Sequence, residues 1–272
     1  MAVKPNTVFT VQHIQQYMIA NLNSIHTGNP ANPAVIILHG LFGSSSNWRT
    51  VAAQLGNHFR VLCVDLRNHG KSEWRSSMSY LDMAQDLVAF IHDNHLDKPH
   101  LIGHSMGGKT VMTCLQHCQP EVGKCVVVDI APAYYSHDHD ELIDALKKLD
   151  LESIHSRNDA DQMLAMDIAS APIRQFLLQN LIRTGGGFAW RINLEAITNN
   201  RDLLFGYPDG HVSDAEILFV RGSNSDYILP GHYEMIARQF PNSSIKTMAN
   251  AGHWLHAEKP GELTEWLFEF LD

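Results

Sequence analysis

The chain has 272 residues, 44% of them hydrophobic and 18% charged, enough to bury a large core in one or two domains. A formal net charge of −9 without a basic run excludes the electrostatic footprint of a nucleic-acid binder, so no nucleic-acid partner is expected. No apolar stretch approaches the roughly 20 residues that a membrane span needs.

Met1 to Gln16 is polar and lacks the apolar centre of a secretory signal. Cys63, Cys114, Cys118 and Cys125 form no C-x-x-C pair, and most sit in apolar segments, which suits reduced thiols and a cytoplasmic location. Alternation around Val8 to Ile14 and Met18 to Ile25 predicts edge strands, followed by a turn at Gly28-Asn-Pro-Ala-Asn-Pro33. Ala34 to Leu38 is a continuous apolar run, the pattern of a strand covered on both faces. It ends in His39-Gly40-Leu41-Phe42-Gly43, after which Asn47 to Leu55 reads as a helix and Phe59 to Val64 as a second buried strand. Gly70-Lys71-Ser72 fails as a phosphate loop, because Asp65 stands where that motif needs glycine. An Asp and an Arg tying down a loop turned by a glycine is the simpler reading. Tyr80 to Asn94 carries apolar residues at helical spacing.

Next comes Leu101-Ile-Gly-His-Ser-Met-Gly-Gly108, which contains a G-x-S-x-G match between an apolar run and a helix-like segment, Met106 to His117. A strand turning sharply into a helix would hold Ser105 in a strained conformation with its hydroxyl exposed above the sheet. Lys124 to Pro132 supplies another strand, ending at Asp129. Strands alternating with helices predict βαβ units, a mostly parallel sheet, and reactive groups at the strands' carboxyl ends. From Tyr134 to about Asp214 the pattern is helical instead: Glu141 to Leu149, Ala160 to Ile168, Ile173 to Ile182 and Asn193 to Leu204, with Gly185-Gly-Gly187 as a break. The expected division is an α/β core formed by residues 1–132 and 215–272, with a helical cap at 133–214 acting as a lid. Ile217 to Val220, a helix at Tyr233 to Phe240, a strand at Ser244 to Met248 and a helix at Glu262 to Leu271 complete the chain.

A serine hydroxyl needs a base, and the base needs an orienting carboxylate. His253, in a loop after the last strand, is the candidate base. His104 is expected to point away from the substrate, His39 to brace its loop, and His256 to serve as a structural hydrogen-bonding residue. Two carboxylates compete for the third role. Asp226 follows the later strand, the commoner location, although the usual spacing from Gly222 falls on Ser225. Asp129 ends an apolar strand, where a carboxylate needs a partner. The amides of Met106 and Leu41 are the expected oxyanion donors. Phe42, Tyr134 and Trp254 are candidate substrate contacts, and Tyr135, Arg174 and Arg183 candidate entrance residues. His137-Asp-His-Asp140 is read as a solvated run, with no metal and no cofactor expected.

His39-Gly-Leu-Phe-Gly-Ser44, Asp65-Leu-Arg-Asn-His-Gly70, Gly103-His-Ser-Met-Gly-Gly-Lys109, Val128-Asp-Ile-Ala-Pro132, Gly222-Ser-Asn-Ser225 and Ala251 to Pro260 together resemble the α/β-hydrolases, and within them the YbfF-type esterases. The resemblance implies hydrolysis of carboxylic esters or acyl-CoA thioesters as small-molecule substrates, a four-helix cap, and a triad acid that maps onto Asp129. The chain departs from that pattern in carrying Asp226 in the second loop. Two rival readings stand beside it: another serine hydrolase of the same fold, such as a carbon–carbon bond hydrolase or aminopeptidase, and a non-catalytic ligand-binding member.

Overall fold

The computed structural model describes residues 19–135 and 140–272. The strand expected at Val8 to Ile14 and all but the last residue of His137-Asp-His-Asp140 lie outside the described residues. Seven strands form the main sheet in the order β1-β3-β2-β4-β5-β8-β9. In chain order these are β1 (Ser24–Thr27), β2 (Ala34–Leu38), β3 (Arg60–Val64), β4 (His100–His104), β5 (Cys125–Val128), β8 (Ile217–Gly222) and β9 (Ser243–Met248). Only β1 runs antiparallel, pairing Ser24 with Val64, and it is shorter than the expected Met18 to Ile25.

Alternation along each strand divides the core between the two faces of the sheet. Ala34, Ile36 and Leu38 of β2 join one apolar cluster, while Val35 and Ile37 join the other. The Arg49–Leu55 and Pro260–Leu271 helices cover the second face. The Tyr80–Asp93 and Met106–Thr113 helices cover the first. Ser79 caps the former by accepting from the Asp82 amide, a contact worth about 1 kcal/mol. The same helix carries Asp86, buried against Arg67 at 2.6 Å and accepting from the Ala20 amide, so the loop after β3 is pinned to it. Asp65 accepts from the Ser45 and Lys71 amides, and Gly70 turns at φ +54° against its carboxylate, where a Cβ would lie 2.1 Å from Cγ.

Between β5 and β8 the chain leaves the sheet. Among the described residues this insert holds five helices, Asp140–Lys148, Arg157–Leu164, Ala171–Leu178, Leu194–Asn199 and Arg201–Phe205, and a hairpin of β6 (Leu181–Thr184) and β7 (Gly187–Trp190). The expected four-helix cap is therefore corrected twice. The third helix stops at Leu178, and Gly185-Gly186 turn a hairpin instead of merely breaking a helix. The fourth segment is two short helices meeting at Asn200. The insert is tied to the core by polar contacts over the sheet's carboxyl edge. Asn180 Nδ2 donates to the Phe42 carbonyl (2.7 Å), the Tyr80 hydroxyl to the Leu204 carbonyl (2.6 Å), and Lys109 Nζ to the carbonyls of Phe205 (3.0 Å) and Gly206 (2.6 Å).

Candidate active site

Ser105 follows β4, and its amide donates to the Val128 carbonyl (3.0 Å), so the sheet ladder holds the residue before the backbone turns to φ 52°, ψ −116°. Non-glycine residues rarely adopt that conformation, and it persists because the surroundings over-determine it. Gly103 and Gly107 permit the close crossing: a Cβ on Gly107 would lie 2.5 Å from the Leu38 carbonyl oxygen, and one on Gly103 would lie 2.3 Å from that of Gly107. Asp129 is placed in the same way one strand over, its amide donating to the Val220 carbonyl (2.8 Å) before φ becomes 54°.

The loops after β9 and β8 bring the remaining parts. His253 Nδ1 lies 2.8 Å from Asp129 Oδ2, with Asp129 wholly buried. Asp129 also accepts from the Gly222 amide (3.0 Å) and, through a short bond to Oδ2, from the Ser225 hydroxyl. Burial pushes the Asp129 carboxyl up to about 6, while the Ser225 and Gly222 hydrogen bonds and the Arg221 charge pull the other way. Ser105 and His253 open onto one cavity, together with Leu41, Phe42 and Trp254. A second cavity meets it at Ser105 and Leu41, which line both. Among the described residues, neither the Leu41 nor the Met106 amide donates to a protein acceptor, and both flank the point where the two cavities join. The Leu41 loop is braced from two sides. His39 donates from Nδ1 to the Gly40 carbonyl (2.8 Å) and accepts the Leu66 amide at Nε2 (3.0 Å). His69 likewise accepts the Phe42 amide at Nε2 (3.2 Å).

Several expected roles change. Asp226 is exposed, whereas its neighbours Ser225 and Tyr227 turn inward, onto Asp129 and the His253 ring. Tyr134 is 64% exposed and lines neither cavity, whereas Tyr135 lines the second. Arg174 pairs with Asp161 inside the insert, Arg183 lies over the Phe188 ring, and neither lines the two cavities. His104 does not point away: its Nε2–H donates to the His253 carbonyl (2.8 Å) and its ring packs 4.6 Å from that of His253. His256 Nδ1 has no hydrogen-bond partner among the described residues; the ring stacks on Trp48 with centroids 4.6 Å apart. Burial first, and then the neighbouring imidazoles, hold His104 and His256 well below the ordinary histidine range, so both are neutral.

Sequence reasoning missed Ser225 as a hydrogen-bond donor and Tyr227, whose ring stacks on His253 at 4.0 Å. Ser225 left a signal in its spacing from Gly222. Tyr227 left none, since only the folded loop brings it against a ring that follows it by 26 positions.

The arrangement supplies a hydroxyl, an imidazole, a buried carboxylate and two undirected amides around one point. A family model described as the alpha/beta hydrolase family matches residues 35–266. The mouse sn-1-specific diacylglycerol lipase ABHD11 is 39% identical over 253 residues, covering 90% of this chain and 82% of that protein. Esterase YbfF of Escherichia coli (strain K12) is 33% identical, covering 89% of this chain and 94% of its own length. A solved marine microorganism esterase superposes with a TM-score of 0.89 at 36% identity, covering 92% of this chain and 99% of that one.

Proposed function

This chain belongs to the alpha/beta hydrolase family, and from that premise we propose that it hydrolyses carboxylic esters or acyl thioesters through Ser105, His253 and Asp129. The supporting observation is the contact of His253 with the buried Asp129 beside a cavity that Ser105 also lines. With Nδ1–H directed at Asp129, Nε2 is the basic nitrogen. It takes the Ser105 proton as the hydroxyl oxygen attacks the acyl carbon. The carbonyl oxygen becomes an oxyanion facing the amides of Leu41 and Met106, where preorganised donors lower the barrier most. His253 then protonates the departing alcohol or thiol, leaving an acyl-serine. Water, deprotonated by the same imidazole, releases the acid and restores Ser105.

Ester hydrolysis is common ground between the relatives' names, and hydrolysis of acyl-CoA thioesters would use the same acyl chemistry. No cofactor enters these steps. The insert, residues 133–214, is the cap in this reading, over a core of residues 1–132 and 215–272. A reducing cytoplasm suits the four free thiols, and no helix among the described residues is long and apolar enough to cross a membrane.

A fluorophosphonate probe followed by peptide mass spectrometry is expected to label Ser105 alone. Ser105→Ala is expected to abolish labelling and to lower turnover of p-nitrophenyl butyrate by about four to six orders of magnitude. Labelling at another residue, or turnover surviving in the variant, would overturn the proposal.

A further inference from the structure

We propose that the cavity on the Met106 side of Ser105 is the acyl subsite, that it admits acyl groups of only a few carbons, and that its depth is set by a latch joining Tyr80 and Lys109 to the insert. This rests on the serine-hydrolase reading above. A tetrahedral intermediate has four substituents, and three of them are already assigned: Ser105 Oγ, the oxyanion on the Leu41 and Met106 amides, and the leaving oxygen that His253 must protonate. The leaving group therefore occupies the cavity that His253 lines. The acyl chain is left with the other cavity, walled by Ile130, Tyr135, Leu204, Phe205 and Tyr227.

Both cavities open past half-buried side chains, among them Tyr135 and Tyr227 at the acyl cavity. Leu142, Ile173, Phe176 and Trp254, around the leaving-group cavity, are half-buried, so a bulky alcohol or thiol can extend outward between them. The acyl cavity has a floor of buried Leu204 and Phe205, and leaves about 30 Å³ for the centres of water-sized groups. At roughly 10–15 Å³ per group, that is room for two or three carbons beyond the carbonyl.

The floor is held rigidly. Tyr80 donates to the carbonyl of Leu204, and Lys109 to those of Phe205 and Gly206, so core side chains grip three successive carbonyls at the end of one insert helix. Lys109 is 2% exposed, and its Nζ also lies over the Tyr135 ring at 4.8 Å. Lifting the floor would break both of these Lys109 hydrogen bonds and leave helix-terminal carbonyls unpaired, so a longer chain cannot simply push it aside. Because the latch uses backbone carbonyls, truncating the Phe205 or Leu204 side chain deepens the cavity while leaving the latch in place.

The test is kcat/KM for p-nitrophenyl acetate, butyrate, hexanoate and octanoate. The wild-type protein is expected to favour acetate and butyrate and to lose at least about tenfold by octanoate, in line with the cost of a few methylenes that a pocket cannot house. Phe205→Ala, and to a smaller degree Phe205→Leu, should raise the octanoate-to-butyrate ratio, by about tenfold for alanine, with thermal melting confirming the fold. Phe176→Ala should instead alter preference among butyrate esters of different alcohols. A wild-type preference for octanoate, an unchanged acyl ratio in folded Phe205 variants, or an acyl ratio moved by Phe176→Ala would each overturn the assignment. The wild-type profile decides even if the Phe205 variants do not fold. Failure of the underlying reading looks different: no ester is turned over, or turnover is indifferent to Ser105→Ala.

Discussion

Asp129 and Asp226 both follow parallel strands, and inspection of their neighbours in sequence does not separate them. What separates them is the direction in which each backbone turns. Asp129 leaves the sheet at φ 54° with its carboxylate buried between His253, Ser225 and the Gly222 amide. Asp226 lies between two residues that face inward, so its own side chain faces water. A buried carboxylate stripped of charge leaves its imidazole in the wrong tautomer, whereas a solvated one loses little. Asp129→Asn is accordingly expected to lower kcat by about 10⁴, and Asp226→Asn to change it less than about threefold. The comparison is made with p-nitrophenyl butyrate on variants of matched melting temperature; the opposite ranking would exchange the two roles.

At the scale of elements, the decisive joint is where β4 passes into the Met106–Thr113 helix. This helix crosses the end of β2 so closely that the Gly107 position has no room for a methyl group, because its Cβ would sit 2.5 Å from one backbone oxygen and 2.7 Å from the next. Backbone on both sides belongs to buried elements, so the contact cannot be relieved by a side-chain rotation. Gly107→Ala should therefore cost several kcal/mol of stability, within the range of severe overpacking, and reduce ester turnover in whatever folds. Urea denaturation measures the first effect, and a midpoint unchanged from wild type would mean that the helix can step away from β2. The insert shows the limits of reading elements from periodicity. Leu181 and Ile182 continue the apolar spacing of the helix before them, yet they open a strand, because Gly185-Gly186 let the chain fold back and pair with Gly187–Trp190.

For the molecule as a whole, four buried neutral histidines couple stability to pH. Burial holds His39, His104 and His256 below the ordinary range and His69 at about 3. His39 and His69 each accept a backbone amide, which only an unprotonated nitrogen can do. Their contribution is complete above the unfolded-state value of about 6.5 and is lost as pH falls below it, since the unfolded chain then binds protons that the folded one refuses. Asp86 and Asp129, both raised by burial, act in the opposite sense, Asp129 below about pH 6, but they are two against four. Stability should therefore fall between pH 6.5 and 5, by about 1.4 kcal/mol per pH unit for each net proton, and the melting temperature with it. Calorimetry across that range checks it, and a melting temperature that rose on acidification would contradict the assignment of these rings as neutral.

Local pattern was enough for the parallel sheet, the strand–serine–helix turn and the loop bearing His253, since each depends on residues within a few positions of one another. Apolar runs must be buried, and the glycines beside Ser105 leave the room that the crossing of strand and helix needs. Which carboxylate meets His253, the inward turn of Ser225 and Tyr227, the hairpin in the insert and the grip of Tyr80 and Lys109 on the insert were decided by tertiary structure. Lys109 and the carbonyls it holds are separated by more than 90 residues. No spacing rule spans such a distance, because which of many buried polar groups meet is fixed only when the insert settles on the sheet edge and each must find a partner there.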